Sequence, residues 1–127
     1  MEKAIKTEQM IGLIAHDNMK PIIIEWVLKH VKKLKNYRLV ATGTTGKKIE
    51  EATGLRVKKY KSGPLGGDQQ IGALIAEGKL DVLFFFWDPL EPMPHDPDVK
   101  ALLRLCSVYN VPVACNPATA EFIIAGL

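Results

Sequence analysis

Short apolar runs of strand length alternate along this chain with segments of helical period, and nothing else in the sequence restricts the fold as strongly. Such alternation is the mark of a parallel sheet covered on both faces, because parallel strands need long, usually helical, crossovers. The runs predict strands at Met10–Ala15, Arg38–Thr42, Arg56–Tyr60, Val82–Trp87 and Val111–Cys115. Helices are predicted at Asn18–Lys35, Thr45–Ala52, Gly67–Glu77, Asp98–Tyr109 and Ala118–Ala125. Gly54, Gly78 and Asn110 follow three of these helices and suit left-handed helix ends. The fold class expected is α/β.

These elements use up the 127 residues, which leaves no linker or repeat and predicts a single domain over residues 1–127. The 47% hydrophobic and 24% charged content suits a chain that folds around one core and argues against disorder or a coiled coil. Seventeen Lys and Arg against fourteen Asp and Glu give a formal charge of +3 without a long basic block. The densest stretch, Lys29–Lys35, ends a predicted helix, where cations favour the negative dipole end. Nucleic acid is therefore not implied, whereas a few cations converging on one pocket suit a small anion. Only Cys106 and Cys115 occur, both in apolar segments, and no secretory h-region follows the polar start, so a cytoplasmic location is expected. The longest apolar run, Val82–Trp87, is far shorter than the ~20 residues of a membrane-spanning helix.

Open parallel sheets bind ligands beyond the carboxyl ends of their strands, so the residues following each strand carry the functional reading. His16, Asp17 and Lys20 follow the first; Thr42 ends the second, and Gly43, Thr44, Thr45 and Gly46 follow it. Ser62, Gly63, Gly66, Gly67 and Asp68 follow the third; Asp88, His95, Asp96 and Asp98 the fourth; Asn116 and Thr119 the fifth. Ala41–Gly46 (ATGTTG) runs from a strand into a helix start, where amides and three hydroxyls suit one phosphate. It lacks the spacing of the P-loop and of GxGxxG, which argues against a nucleotide. Taken alone, its threonines also read as helix caps.

Ser62–Asp68 (SGPLGGD) is a second glycine-rich turn before a helix. Asp68 there either compensates the helix dipole or, beside a bound anion, acts as a base or holds a cation. Asp88–Pro97, with four prolines, is the one long irregular stretch, and such loops carry function. Capping accounts for Asp96 or Asp98 but not for His95. With three histidines in the chain and no cysteine at metal spacing, zinc is disfavoured. Arg104 reads either as a surface residue of an amphipathic helix or as an anion partner. Trp26, Trp87, Phe84–Phe86, Cys106 and Cys115 read as core.

The blocks HDNMK (His16–Lys20), ATGTTG (Ala41–Gly46), SGPLGGDQQIGALIAEGKLDVLFFFWDP (Ser62–Pro89) and PHDPDVKALLRL (Pro94–Leu105) together resemble the methylglyoxal synthase family over essentially the whole chain. The SGPLGGDQQ, FFWDPL and PHDPDV blocks separate it from fold relatives such as the regulatory domain of carbamoyl-phosphate synthetase and the cyclohydrolase domain of purine synthesis. The resemblance implies a Rossmann-like five-stranded sheet in the order 3-2-1-4-5. It also implies conversion of dihydroxyacetone phosphate to methylglyoxal and inorganic phosphate, with no metal and no organic cofactor. Asp68 corresponds by position to the catalytic base and His95 to the residue that polarises the substrate oxygens, with Asp98 a candidate to fix the His95 tautomer. Lys20, Thr42, Thr44, Thr45, Ser62 and Gly63 fall at phosphate-holding positions, His16, Asp17, Asp88, Asp98 and Arg104 fall on other active-site positions, and Gly46 joins the substrate-binding set. A homohexamer inhibited by phosphate is implied as well. Some similar proteins continue with a further C-terminal segment past the position of Phe122–Leu127.

A non-enzymatic phosphate-effector module would need the anion cradle alone, leaving Asp68, His95 and Asp98 without a task. A phospho-acceptor receiver domain, with Asp88 at a strand end, would leave both glycine-rich turns unexplained.

Overall fold

A computed structural model describes residues 9–91 and 96–127. Five strands, β1 (Met10–Ala15), β2 (Arg38–Ala41), β3 (Val57–Lys59), β4 (Val82–Phe86) and β5 (Val113–Ala114), form one all-parallel sheet in the order β3-β2-β1-β4-β5. Both the class and the strand order agree with the sequence reading. The helices are α1 (Lys20–Lys29), α2 (Val31–Leu34), α3 (Gly43–Thr53), α4 (Gly67–Ala76), α5 (Asp96–Val108) and α6 (Pro117–Ala125). None is long and apolar enough to cross a membrane among the described residues.

The uninterrupted apolar runs of β1 and β4 are explained by burial on both sides of the sheet. Phe84 and Phe86 point to one face and pack with Trp26 of α1, at ring-centroid distances of 4.6 and 6.2 Å. That face also holds Ile23, Leu34, Ile49 and Ile124. Phe85 points the other way, into a second cluster with Ile71, Ile75, Val99 and Leu102 from α4 and α5. A single strand thus anchors both layers of helices.

One predicted helix over Asn18–Lys35 proves to be two, preceded by a 3-10 turn at Asp17–Met19. Pro21 lies in the first turn of α1, where its missing N–H is harmless. The interruption falls at His30, with φ −117° and ψ 22°. Its ring lies tilted by 50° against Trp26 at 5.0 Å and its Nε2 meets Glu121 Oε1 of α6 at 2.8 Å. These tertiary contacts are invisible to a local periodicity argument and outweigh helical continuity. Strands β2 to β5 are shorter than predicted, β5 by most, although single backbone bonds such as Gly43 N–H to the Lys61 carbonyl and Leu83 N–H to the Pro112 carbonyl carry on past their ends. Positive φ occurs at Gly54, Gly78 and Asn110, as their places after helices require.

Phe85 is fully buried and touches both helices of its layer's cluster. Phe85→Ala is expected to cost about 3–5 kcal/mol by the transfer-plus-cavity rule, read as a lowered urea midpoint at unchanged slope.

Candidate active site

The β1–β4 pairing continues past the ends of the strands and fixes the floor of the site. His16 N–H donates to the Phe86 carbonyl at 3.1 Å, and Asp88 N–H donates to His16 Nδ1, also at 3.1 Å. A main-chain N–H can only donate, so Nδ1 accepts and the neutral ring carries its proton on Nε2. Asp88 is buried, with Oδ2 accepting from Asn18 Nδ2 and Oδ1 from Leu90 N–H, each at 2.9 Å. The Asn18 bond, followed by the Leu90 bond, holds the Asp88 carboxyl below its ordinary value.

Lys20 opens α1 and its ammonium is turned inward. Nζ donates to the Ala15 carbonyl at 3.0 Å and to Asp17 Oδ1 at 2.7 Å. Two of three donors are thereby engaged among the described residues. Asp17 is highly exposed, and its pKa is lowered mainly by the Lys20 hydrogen bond and then by that residue's charge.

The start of α3 comes in beside this lysine. Thr42 occupies the N-cap position without a side-chain capping bond, so its buried hydroxyl is not spent on capping. Thr45 Oγ1 donates to the Ala15 carbonyl at 3.3 Å, and Thr44 is exposed. The Gly46 amide donates to the Thr42 carbonyl at 2.8 Å, and its Cα packs against Lys59, where a Cβ would lie 2.7 Å from Cγ. Gly46 therefore serves the packing of α3 on the sheet.

The third side is the SGPLGGD turn. Gly63–Leu65 form a 3-10 turn, Gly66 takes φ +108°, and Gly67 N–H donates to the Ser62 carbonyl at 3.0 Å. Only glycine fits at Gly67, because a Cβ there would sit 1.8 Å from the Lys61 carbonyl oxygen. The crossing aims the first turn of α4 so that buried Asp68 faces Gly63, whose Cβ would lie 3.1 Å from Asp68 Oδ1. Absence of a side chain at Gly63 makes room for a carboxylate.

His16, Asp17, Lys20, Thr42, Thr44, Thr45, Ser62, Gly63 and Asp68 line one cavity of about 130 Å³, together with Pro64 and Glu91. This is a compact space beside the roughly 300–1,000 Å³ typical of drug-sized ligands. It combines an ammonium, hydroxyls and a helix N-terminus, which suit a phosphate, with a buried carboxylate that does not. Glu91 went unnoticed in the sequence, where the proline-rich loop drew attention to its histidine and aspartates. Asp88 braces His16 from behind without lining the cavity. Asp98 accepts from Gln69 Nε2 at 2.9 Å and lines a neighbouring groove between α4 and α5. Arg104 is exposed on α5 and lines neither space. His95 lies outside the described residues, as does the side chain of Asp96.

The family model described as the MGS-like domain matches residues 23–115. A methylglyoxal synthase of Pseudoalteromonas atlantica is 66% identical over 117 residues, covering 92% of this chain and 87% of that protein. One from Saccharophagus degradans is 63% identical over 121 residues, with 95% and 79% covered. The crystal structure of methylglyoxal synthase from Elizabethkingia anophelis NUHP1 superposes with a TM-score of 0.88 at 55% identity, over 94% of this chain and 78% of that one. This chain belongs to the methylglyoxal synthase family. Membership in the methylglyoxal synthase family makes it an enzyme of the lyase class.

Two outcomes test the geometry. Gly67→Ala is expected to cost roughly 3 kcal/mol in urea unfolding and to lower activity, since the Lys61 carbonyl must move for a methyl to enter. Asn18→Ala should raise the Asp88 pKa toward the ordinary aspartate range, read by carboxyl carbon NMR. Because the folded pKa is depressed, the bond's stabilisation exists above the ordinary range and fades as pH falls through the folded value. The stability gap between parent and variant should accordingly close on acidification.

Proposed function

We propose that the chain, acting as one domain, converts dihydroxyacetone phosphate to methylglyoxal and inorganic phosphate in the cavity beneath α3 and α4. The observation carrying this reading is the buried Asp68 carboxylate sharing one small space with Lys20, Thr42, Thr44, Thr45 and Ser62. A carboxylate in a phosphate cradle weakens anion binding and so demands a chemical task, which removal of a proton from carbon supplies.

In this reading the cradle holds the phosphate, with Lys20 and the start of α3 supplying charge and donors. Asp68 takes a proton from the hydroxymethyl carbon, giving an enediolate. An ordinary aspartate, with pKa about 3.9, is a weak base for a carbon acid, so positioning, exclusion of water and stabilisation of the forming oxyanion must carry the barrier. His16, with its proton held on Nε2 by the Asp88 amide, supplies one neutral donor to the cavity wall. His95 is assigned the polarisation of the substrate oxygens, with Asp98 fixing its tautomer. The enediolate then expels phosphate when the carbon–oxygen bond to phosphate stands perpendicular to the enediolate plane and overlaps its π system, which leaves the enol of methylglyoxal, and protonation of its methylene carbon as it ketonises completes the product. An in-plane bond would instead favour reprotonation to the aldose phosphate. Orientation therefore selects the product, and the groups that bind substrate phosphate also bind the released ion, which makes phosphate an inhibitor.

The reading includes neither a metal nor an organic cofactor, places the enzyme in the cytoplasm, and includes assembly as a homohexamer. Exposed Ile22 and Leu28 on α1 and Phe122 on α6 support a subunit contact on that side.

Incubation with dihydroxyacetone phosphate should release methylglyoxal and phosphate one to one, and phosphate release without methylglyoxal would refute the assignment. Asp68→Asn keeps shape and removes the base, so turnover should fall by at least about 10³-fold while inorganic phosphate still binds. His95→Gln should lower turnover and change its pH profile.

A further inference from the structure

Helices α1, α3 and α6 cover one face of the sheet, while α4 and α5 cover the other over β1 and β4. At the N-terminal ends of β2 and β3 this leaves a groove of about 570 Å³, lined by Lys35, Arg38, Arg56 and Lys58. Among the described residues no Asp or Glu lines it. Arg38 opens β2 and Arg56 immediately precedes β3, so the register Leu39↔Val57 and Val40↔Lys58, carried one residue back, brings the two arginines level on neighbouring backbones. Like charges facing each other across a strand pair are unfavourable. None of the four cations stands in an ion pair among the described residues. Lys58 lies 5.3 Å over the Tyr60 ring, and Glu50, the neighbouring acid, bonds Lys59 and Val57 N–H, while Arg56 acts on it through its charge alone. Edge-strand protection accounts for Lys58 and Lys59, but it gives no reason for two arginines in register.

We propose that this groove is a second anion site, at the end of β2 and β3 remote from the triose cavity, for a small molecule carrying two or more linked phosphates. Facing guanidinium forks suit bidentate phosphate contacts. Four positive charges exceed what one orthophosphate neutralises, which selects a polyphosphate over a monophosphate. A groove confined to two strand ends, with Tyr37 its one aromatic side chain, offers no stacking row for a nucleic acid strand.

Inorganic tripolyphosphate, titrated calorimetrically into the whole protein, is the probe. Arg38→Gln/Arg56→Gln should weaken its binding at least tenfold with the melting temperature in the absence of probe not lowered, whereas Lys20→Gln should change it less than twofold. If the glutamine pair does not fold, Arg38→Lys/Arg56→Lys keeps charge but loses the forks, and should still weaken binding at least threefold. Affinity within twofold of the parent in the folded arginine variants would overturn the proposal. So would loss of binding in Lys20→Gln, which would assign the probe to the triose cavity, or tighter binding of a short single-stranded oligonucleotide than of tripolyphosphate. Binding and melting are read without turnover, so the outcome is independent of the activity proposed above.

Discussion

The parallel pairing of β1 with β4 is the constraint on which the site depends, because it is the point where the chain's crossovers change faces. The connection after β1 runs through α1 on one face, and that after β4 runs through α5 on the other. A crevice opens between two strand ends whose loops diverge, as open α/β sheets require. Here the ladder is prolonged by two bonds, from His16 N–H to Phe86 and from Asp88 N–H to His16 Nδ1. The second bond turns backbone register into side-chain chemistry. It decides which nitrogen of an imidazole carries a proton, and it does so with an amide whose position is set by buried phenylalanines.

The strand runs were legible because burial on both faces leaves no alternation to misread: VLFFF can be little else in an α/β chain. The helix ends at Gly54, Gly78 and Asn110 were legible because left-handed backbone demands particular residues. The break at His30 was not, since it is set by Trp26 and by Glu121, the latter ninety-one residues away. The same division holds in the site. Residues that follow strands directly, such as His16, Thr42 and Ser62, could be located from topology alone. The bonding of Asp98 to Gln69, and the outward position of Arg104, depend on how α5 rotates against α4, and no local pattern encodes that rotation.

The proposed reaction sets an anion next to a carboxylate, and the distribution of charge in the cavity suits that demand. Lys20 is shared with Asp17 and the Ala15 carbonyl, so its charge is partly answered before any ligand enters. Much of the remaining attraction falls to dipoles, namely threonine hydroxyls and the start of α3, which fall off with distance faster than a full charge. Several unpaired lysines in place of those dipoles would lower the basicity of any carboxylate beside them.

That arrangement depends in turn on backbone crowding. Gly67 passes so close to the Lys61 carbonyl that no other residue fits, and the crossing sets the direction from which α4 enters. Gly63 then leaves the hollow that the Asp68 carboxylate occupies. Two positions without side chains thus do different jobs, one steering a helix and the other making room for its carboxylate. Because an aspartate has only two side-chain torsions, small errors in the helix's path move its carboxylate almost one for one. A tight crossing of backbone is a stiffer support for a carboxylate than side-chain packing alone, since a carbonyl in van der Waals contact has no rotamer to change.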